Sequence, residues 1–337
     1  MKMLKIFSNT ARIGIGSFLL ILIVSGCGGS GGSSGGASSS THAPIAEWRI
    51  TGTYTTAPWG IAVDNGNNVY VSEMFGTKID KYSSAGTLIT QWGAAGSGNS
   101  QFNRPKYIDL DGSGNVYVAD NLNHRIQKFS SSGAYITQWG GYGIGNGQFN
   151  GPTGIAVDVL GSAVYVADSN NSRIEKFDLS GNYISQWGSN GTGNGQFLFD
   201  PYVNGGAEGG IAVDSMGAVF VVDHLNHRVQ KFTTTGAYIS QWGSTGSGNG
   251  QFLYPSGITI DNKDTVSVVD NSANNNLPGN IGRIEKFDSS GNFLSQWNLS
   301  FMGTGLCGGD VYGFAIAADN TGAVYVTQGE CIDKYAP

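Results

Sequence analysis

The chain has 337 residues, with 18 Lys and Arg against 24 Asp and Glu, a formal net charge of −6, 12% charged residues and 54 glycines. So sparse and acidic a charge set excludes a nucleic-acid backbone binder, which needs clustered cations. The glycine content, with no sustained 3.6-residue apolar period, excludes a helical protein.

Lys2, Lys5 and Arg12 precede an apolar run from Ile13 to Val24 that ends in Ser25-Gly26-Cys27. A basic start, a short apolar run and small residues read as a secretion leader over residues 1–27. The run falls short of the ~20 residues that span a bilayer. Val24-Ser25-Gly26-Cys27 resembles the bacterial lipobox, which implies a lipid on Cys27 and attachment to the cell envelope. By the same resemblance, the lack of an acidic residue directly after Cys27 points to the outer membrane. Several acyl chains, at about 0.8 kcal/mol per buried methylene, make a stable anchor. Residues 28–42, almost wholly Gly, Ser and Ala, form a flexible tether. Removing the leader leaves 15 cations against 24 acids, or −9. With Cys27 carrying lipid, Cys307 and Cys331 are the pair left for a disulfide in an oxidising compartment. Its loop of about two dozen residues corresponds to about 3 kcal/mol.

From residue 43 the chain repeats one pattern. One copy reads Gly154-Ile155-Ala156-Val157-Asp158, Val164-Tyr165-Val166-Ala167-Asp168, Arg173-Ile174-Glu175-Lys176-Phe177 and Tyr183-Ile184-Ser185-Gln186-Trp187. Each phrase is a short apolar or alternating run bounded by turn residues, hence a strand, and four strands per repeat predict a β-propeller. Trp48, Trp92, Trp139, Trp187, Trp242 and Trp297 end six fourth strands. Six third strands also occur, but the last, Ile332 to Tyr335, has no fourth strand after it, while Ile45-Ala46-Glu47-Trp48 stands alone at the start. The predicted fold is therefore all-β: one monomeric six-bladed propeller over residues 43–337, of four-stranded antiparallel blades, closed by an N-terminal strand that completes the last blade. The recurrent tryptophans are expected to pack between blades.

Gln-Phe pairs (Gln101-Phe102, Gln148-Phe149, Gln196-Phe197, Gln251-Phe252) precede the first strands, and Asn123-His124-Arg125-Ile126 and Asn226-His227-Arg228-Val229 open two third strands. These segments resemble the NHL repeat family over residues 45–336; the blades holding Lys78, Arg173, Arg283 and Cys331 depart from its eponymous motif. The resemblance implies an interaction module, though similar propellers include metal-dependent lyases and lactonases.

The second strands end in Glu73, Asp120, Asp168, Asp223, Asp270 and Gln328. They read either as a carboxylate ring for a cation or basic peptide, or as partners of Lys78, Arg125, Arg173, Arg228 and Arg283. Pairing is favoured because Gln328 and Cys331 replace acid and base together. Asp64, Asp109, Asp158, Asp214, Asp261 and Asp319 are expected to cap the turns after the first strands. Gly141 to Gly147 and Gly243 to Gly250 lack the lysine of a phosphate loop and read as inter-blade connections.

Trp59, Phe75, Tyr202, Tyr254 and His224 are the candidate ligand contacts, placed in loops or before first strands where partners are commonly anchored. They suit a lipid-anchored binding or scaffolding module that meets an envelope protein or small ligand on the loop face. The alternative is a metal-dependent hydrolase or lyase at the channel mouth, with Glu208, Asp223 and His224 as catalytic candidates. The sequence names no cofactor for the binding module; the enzyme would take calcium or zinc.

Overall fold

The computed structural model describes residues 43–50, 58–73, 76–199, 209–271, 282–300 and 313–337. The leader, Cys27 and the tether lie outside the described residues. Six four-stranded antiparallel sheets succeed one another along the chain. Blade three is representative, with strands Pro152–Asp158, Ala163–Asp168, Arg173–Asp178 and Tyr183–Trp187. The innermost strands of the other blades are Pro58–Val63, Pro105–Leu110, Ile211–Val213, Tyr254–Ile260 and Gly313–Ala318. Each contacts the innermost strands of the blades before and after it, so the six form a ring.

Closure takes the expected form. Blade six draws Gly313–Ala318, Val324–Gln328 and Cys331–Tyr335 from the C-terminal end and its fourth strand, Ala46–Arg49, from the other. Trp48 stands opposite Ile332 and Arg49 opposite Cys331, and Arg49 forms an ion pair with Glu330.

The repeated residues fasten each blade to the next. At Gly181, whose φ is +90°, an added Cβ would lie 2.6 Å from the Trp139 ring of the preceding blade. Only glycine tolerates both the dihedral and the contact. Gly86 stands in the same relation to Trp48, with 2.7 Å to the ring, so the closing strand grips blade one as each blade grips its successor. The phenylalanines of the Gln-Phe pairs are fully buried wedges: Phe102, Phe149, Phe197 and Phe252 meet Phe129, Phe177, Phe232 and Phe287 at 5.5 to 5.7 Å. Their glutamines fold the glycine-rich loops back, Gln101 Oε1 accepting from Gly98 N–H at 2.8 Å and Gln148 Oε1 from Gly145 N–H at 3.0 Å.

The innermost strands also shape the axis of the ring. Ile61, Ile108, Ile155, Ile211, Ile258 and Ile316, one per blade and all buried, form a collar around the channel. Toward the start of these strands, the Trp59 ring stacks on Phe314 at 5.4 Å, Lys106 Nζ lies 5.0 Å from the Trp59 ring, and Tyr107 Oη donates to Phe314 O at 3.2 Å. These aromatics lie at the loop-face end of the channel.

One turn residue departs from expectation. The capping acid of blade two is Asp111, not Asp109: Asp111 accepts from the N–H groups of Ser113 and Asn115 at 3.0 and 2.9 Å, as Asp64 does from Gly66 and Asn68. Asp109 lies two residues earlier, inside the innermost strand and opposite Tyr117.

Candidate functional site

The loop face carries the ends of the second strands, the starts of the third and the inter-blade loops. Three short 3-10 turns, Asn121–Asn123, Ser169–Asn171 and His224–Asn226, join second to third strands in blades two to four. Each ends in a left-handed residue, His124, Ser172 or His227, with φ of 53 to 55°. Histidine is among the side chains that tolerate this region.

The acids of this face in blades two to five are bound to arginine. The distance from Nε to the carboxylate is 2.8 Å for Arg125 to Asp120, 2.8 Å for Arg173 to Asp168, 2.7 Å for Arg228 to Asp223 and 3.0 Å for Arg283 to Asp270. Each guanidinium also fastens the incoming loop: Arg125 donates to the carbonyls of Ser97, Gly98 and Gln101 at 2.7 to 2.8 Å and to Gln138 Oε1 at 2.6 Å. Blade one differs. Lys78 Nζ donates to Gln91 Oε1 at 2.7 Å instead of reaching Glu73. Burial, with a smaller push from Asp80, raises the Glu73 carboxyl to about 7. In blade six Gln328 stands opposite Cys331 and donates to Asp333.

In the next ring of buried side chains, blades one and six carry Asp80 and Asp333, and blades two to five alternate. Gln127 and Gln230 donate through Nε2 to Asp120 and Asp223 at 3.0 and 2.9 Å, and their Oε1 atoms accept from Ser100 and Gly195 N–H at 3.0 and 2.9 Å. Blades three and five put Glu175 and Glu285 there. Both keep the second contact, accepting from Gly147 and Gly250 N–H at 2.8 and 2.7 Å, but set a second carboxylate under the same arginine. Burial outweighs the arginine and N–H groups, and the neighbouring Asp adds to it, pushing both glutamates up to about 7 from an ordinary 4.5. A folded-state value above the free one contributes stability that is complete below about 4.5 and lost as pH rises through about 7. Replacing both, Glu175→Gln with Glu285→Gln, installs the chemistry of blades two and four. The expected result in calorimetry is a melting temperature several degrees higher at mildly alkaline pH, from about 1–2 kcal/mol per site, and a flatter decline from acid to alkaline pH. An unchanged pH profile would contradict this account of the two glutamates.

Of the candidates from the sequence, Trp59, Asp223, His224 and Tyr254 are among the described residues. Trp59 is 2% exposed, at the loop-face end of the channel. His224 is buried, with Nδ1 2.7 Å from Pro255 O of the next blade. That is the inter-blade strap which Asn121 makes to Pro152 O at 3.0 Å, so His224 occupies a repeat position despite its different chemistry. Asp223 is bound by Arg228, Asn226, Gln230 and the Leu198 N–H. Tyr254 is 38% exposed, its ring 5.8 Å from His224 and 6.3 Å from His227. Phe75, Tyr202, Glu208 and Cys307 lie outside the described residues. Cys331 is buried and disulfide-bonded. Among the described residues, no three His, Cys, Asp or Glu side chains converge as a metal site requires.

The most exposed apolar side chains of this face are elsewhere. Tyr142 and Ile144, 70% and 80% exposed, sit on the loop entering blade three, with exposed Leu122 on the preceding 3-10 turn. The Tyr142 ring lies 5.0 Å from that of His124, and the loop is held by Arg173 Nη1 to Ile144 O at 2.7 Å and Asn171 Nδ2 to Gly143 O at 2.9 Å. The sequence signal was available: two large apolar residues interrupt a loop that is otherwise Gly and Asn.

No curated protein sequence matches the chain. Solved structures that resemble it include a protein of unknown function from Bacteroides thetaiotaomicron, 17% identical, covering 88% of this chain and 73% of that one with a TM-score of 0.62. A streptogramin B lyase structure is 14% identical, covering 86% and 96% with a TM-score of 0.56. The virginiamycin B lyase of Staphylococcus aureus is 16% identical, covering 87% and 88% with a TM-score of 0.54. At these identities the likeness is one of fold. A family model described as a 6-bladed beta-propeller matches residues 97–190 and 212–308, more than half of the chain. With six such blades closed into a ring, the chain belongs to this 6-bladed beta-propeller family, DUF5128.

Proposed function

We propose that this protein is a lipid-anchored binding module of the bacterial cell envelope, whose NHL-type blades present their loop face to a protein partner. The carrying observation is the patch of Leu122, Tyr142 and Ile144, exposed on a loop whose carbonyls are fixed by Arg173 and Asn171. Aromatic and aliphatic side chains on a rigid frame lose little freedom on docking, which favours binding. Leu225 and Tyr254 beside His227 repeat this composition at blades four and five. The acids of blades two to five are engaged in arginine pairs, which favours a contact surface over a metal-dependent hydrolase or lyase. Anchorage to the outer membrane through Cys27 and a Cys307–Cys331 disulfide complete the reading.

A photoreactive residue in place of Ile144, in the full-length protein in intact cells, is expected to cross-link reproducibly to one envelope protein. Tyr142→Ala with Leu122→Ser should lower that yield at least about fivefold, as loss of 1 kcal/mol or more of contact energy implies. No reproducible partner, or a yield indifferent to the substitutions, would overturn the proposal.

A further inference from the structure

From the isoleucine collar toward the ends of the innermost strands, the channel forms a cup of about 240 Å³. The side chains of its wall are aliphatic, Val63, Leu110, Val157, Val213, Ile260 and Ala318, one from each blade, although polar groups make up most of the exposed surface. At the level between collar and wall, four blades contribute Ala62, Ala212, Thr259 and Ala317, and blade two contributes Asp109.

We propose that this cup binds a small organic cation, an ammonium group carried on a short aliphatic chain, with Asp109 as its counter-charge. Asp109 is the one charged side chain among the described residues of the lining. Its carboxylate is fixed at the wall by the N–H groups of Leu110 and Val157, 2.8 and 2.7 Å away, each oxygen keeping a lone pair for a further donor. The acids two residues on have cations of their own: Asp64, Asp111, Asp214 and Asp319 lie 3.7, 3.4, 3.4 and 3.3 Å from Lys81, Lys128, Lys231 and Lys334. Asp109 has no such partner among the described residues. Burial, with a smaller contribution from Asp111, pushes its carboxyl up to about 6, as expected of a charge with no counter-ion in the fold. A divalent metal would need several oxygen ligands, and the lining side chains supply one carboxylate, the hydroxyl of Thr259 and that of Tyr107, which is engaged with Phe314 O. A short-chain alkylammonium matches both parts: its chain covers the aliphatic side chains and its N–H groups complete the carboxylate.

Butylammonium, with butanol as the neutral control, would be titrated into the full-length protein while the amide resonances of Leu110 and Val157 are followed. Saturable shifts with butylammonium, at least tenfold weaker with butanol, are expected. Asp109→Asn, which keeps an acceptor oxygen for one of the two N–H groups and removes the charge, should weaken butylammonium at least tenfold. Val213→Phe, which fills the cup and leaves Asp109 in place, should abolish the shifts. No saturable shift at millimolar butylammonium, equal binding of amine and alcohol, or undiminished binding by Asp109→Asn would each overturn the proposal.

Discussion

Deleting residues 43–50 is expected to abolish the cooperative unfolding of the whole propeller rather than to trim a tail. Those residues include the fourth strand of blade six, and their loss strips the pairing partner from Cys331–Tyr335 and leaves a bare edge inside the ring. They also carry Trp48, which is buried, lies 6.1 Å from the Tyr325 ring and packs against the turn of blade one at Gly86. The single change Trp48→Ala isolates the packing part. It should cost about 3–5 kcal/mol, a typical loss for a large buried aromatic, and lower the melting temperature by roughly 10 °C. Calorimetry of both variants checks the argument: a deletion variant melting within a degree of the intact protein would show that closure is not structural.

Removing one loop-face arginine is expected to destabilise nearly as much. Arg228 is bound to the buried Asp223 and also holds Gln241 Oε1 and the carbonyls of Gly193 and Gln196. Arg228→Met leaves Asp223 charged in a site where burial already opposes its ionisation, and takes one of two donors from each carbonyl, Gly193 O keeping Gln196 N–H and Gln196 O keeping Gln230 Nε2. The expected loss is about 3–5 kcal/mol, read as a shift of the urea midpoint. Asp223→Asn with Arg228→Met should be less destabilised than the sum of the single changes by about 2 kcal/mol, because the uncompensated charge is gone. Blade six is the natural precedent, with Gln328 opposite Cys331 at the same two positions. Strict additivity would mean that the pair acts only through its separate contacts.

Strand positions, blade number and closure were legible because period-2 apolar runs and six recurrent tryptophans fix them without knowledge of distant contacts. The acid–arginine pairs were legible for a similar reason, since each joins residues directly opposite in one hairpin. Glu73 and Lys78 show the limit: lysine lacks the guanidinium fork and finds Gln91 instead. The channel was harder to read. In Ile108-Asp109-Leu110-Asp111 two acids stand two residues apart, and only strand register tells the turn cap from the wall of the cup. Trp59 resembles an exposed anchor in sequence, yet its stacking on Phe314 depends on a residue about 250 positions away. His224 looks unique because its repeat position tolerates any side chain able to reach the next blade, including Asn121.

The shared sheet of blade six has one more consequence. Ala46 lies opposite Lys334, and Ile45 N–H donates to Lys334 O at 2.7 Å, so the first and last strands are already neighbours. Where the polypeptide is cut is then a matter of gene layout rather than of architecture. A circular permutant that joins residue 337 to residue 43 through a short linker and opens between any two blades retains every strand pairing, with the seam falling between blades instead of within one.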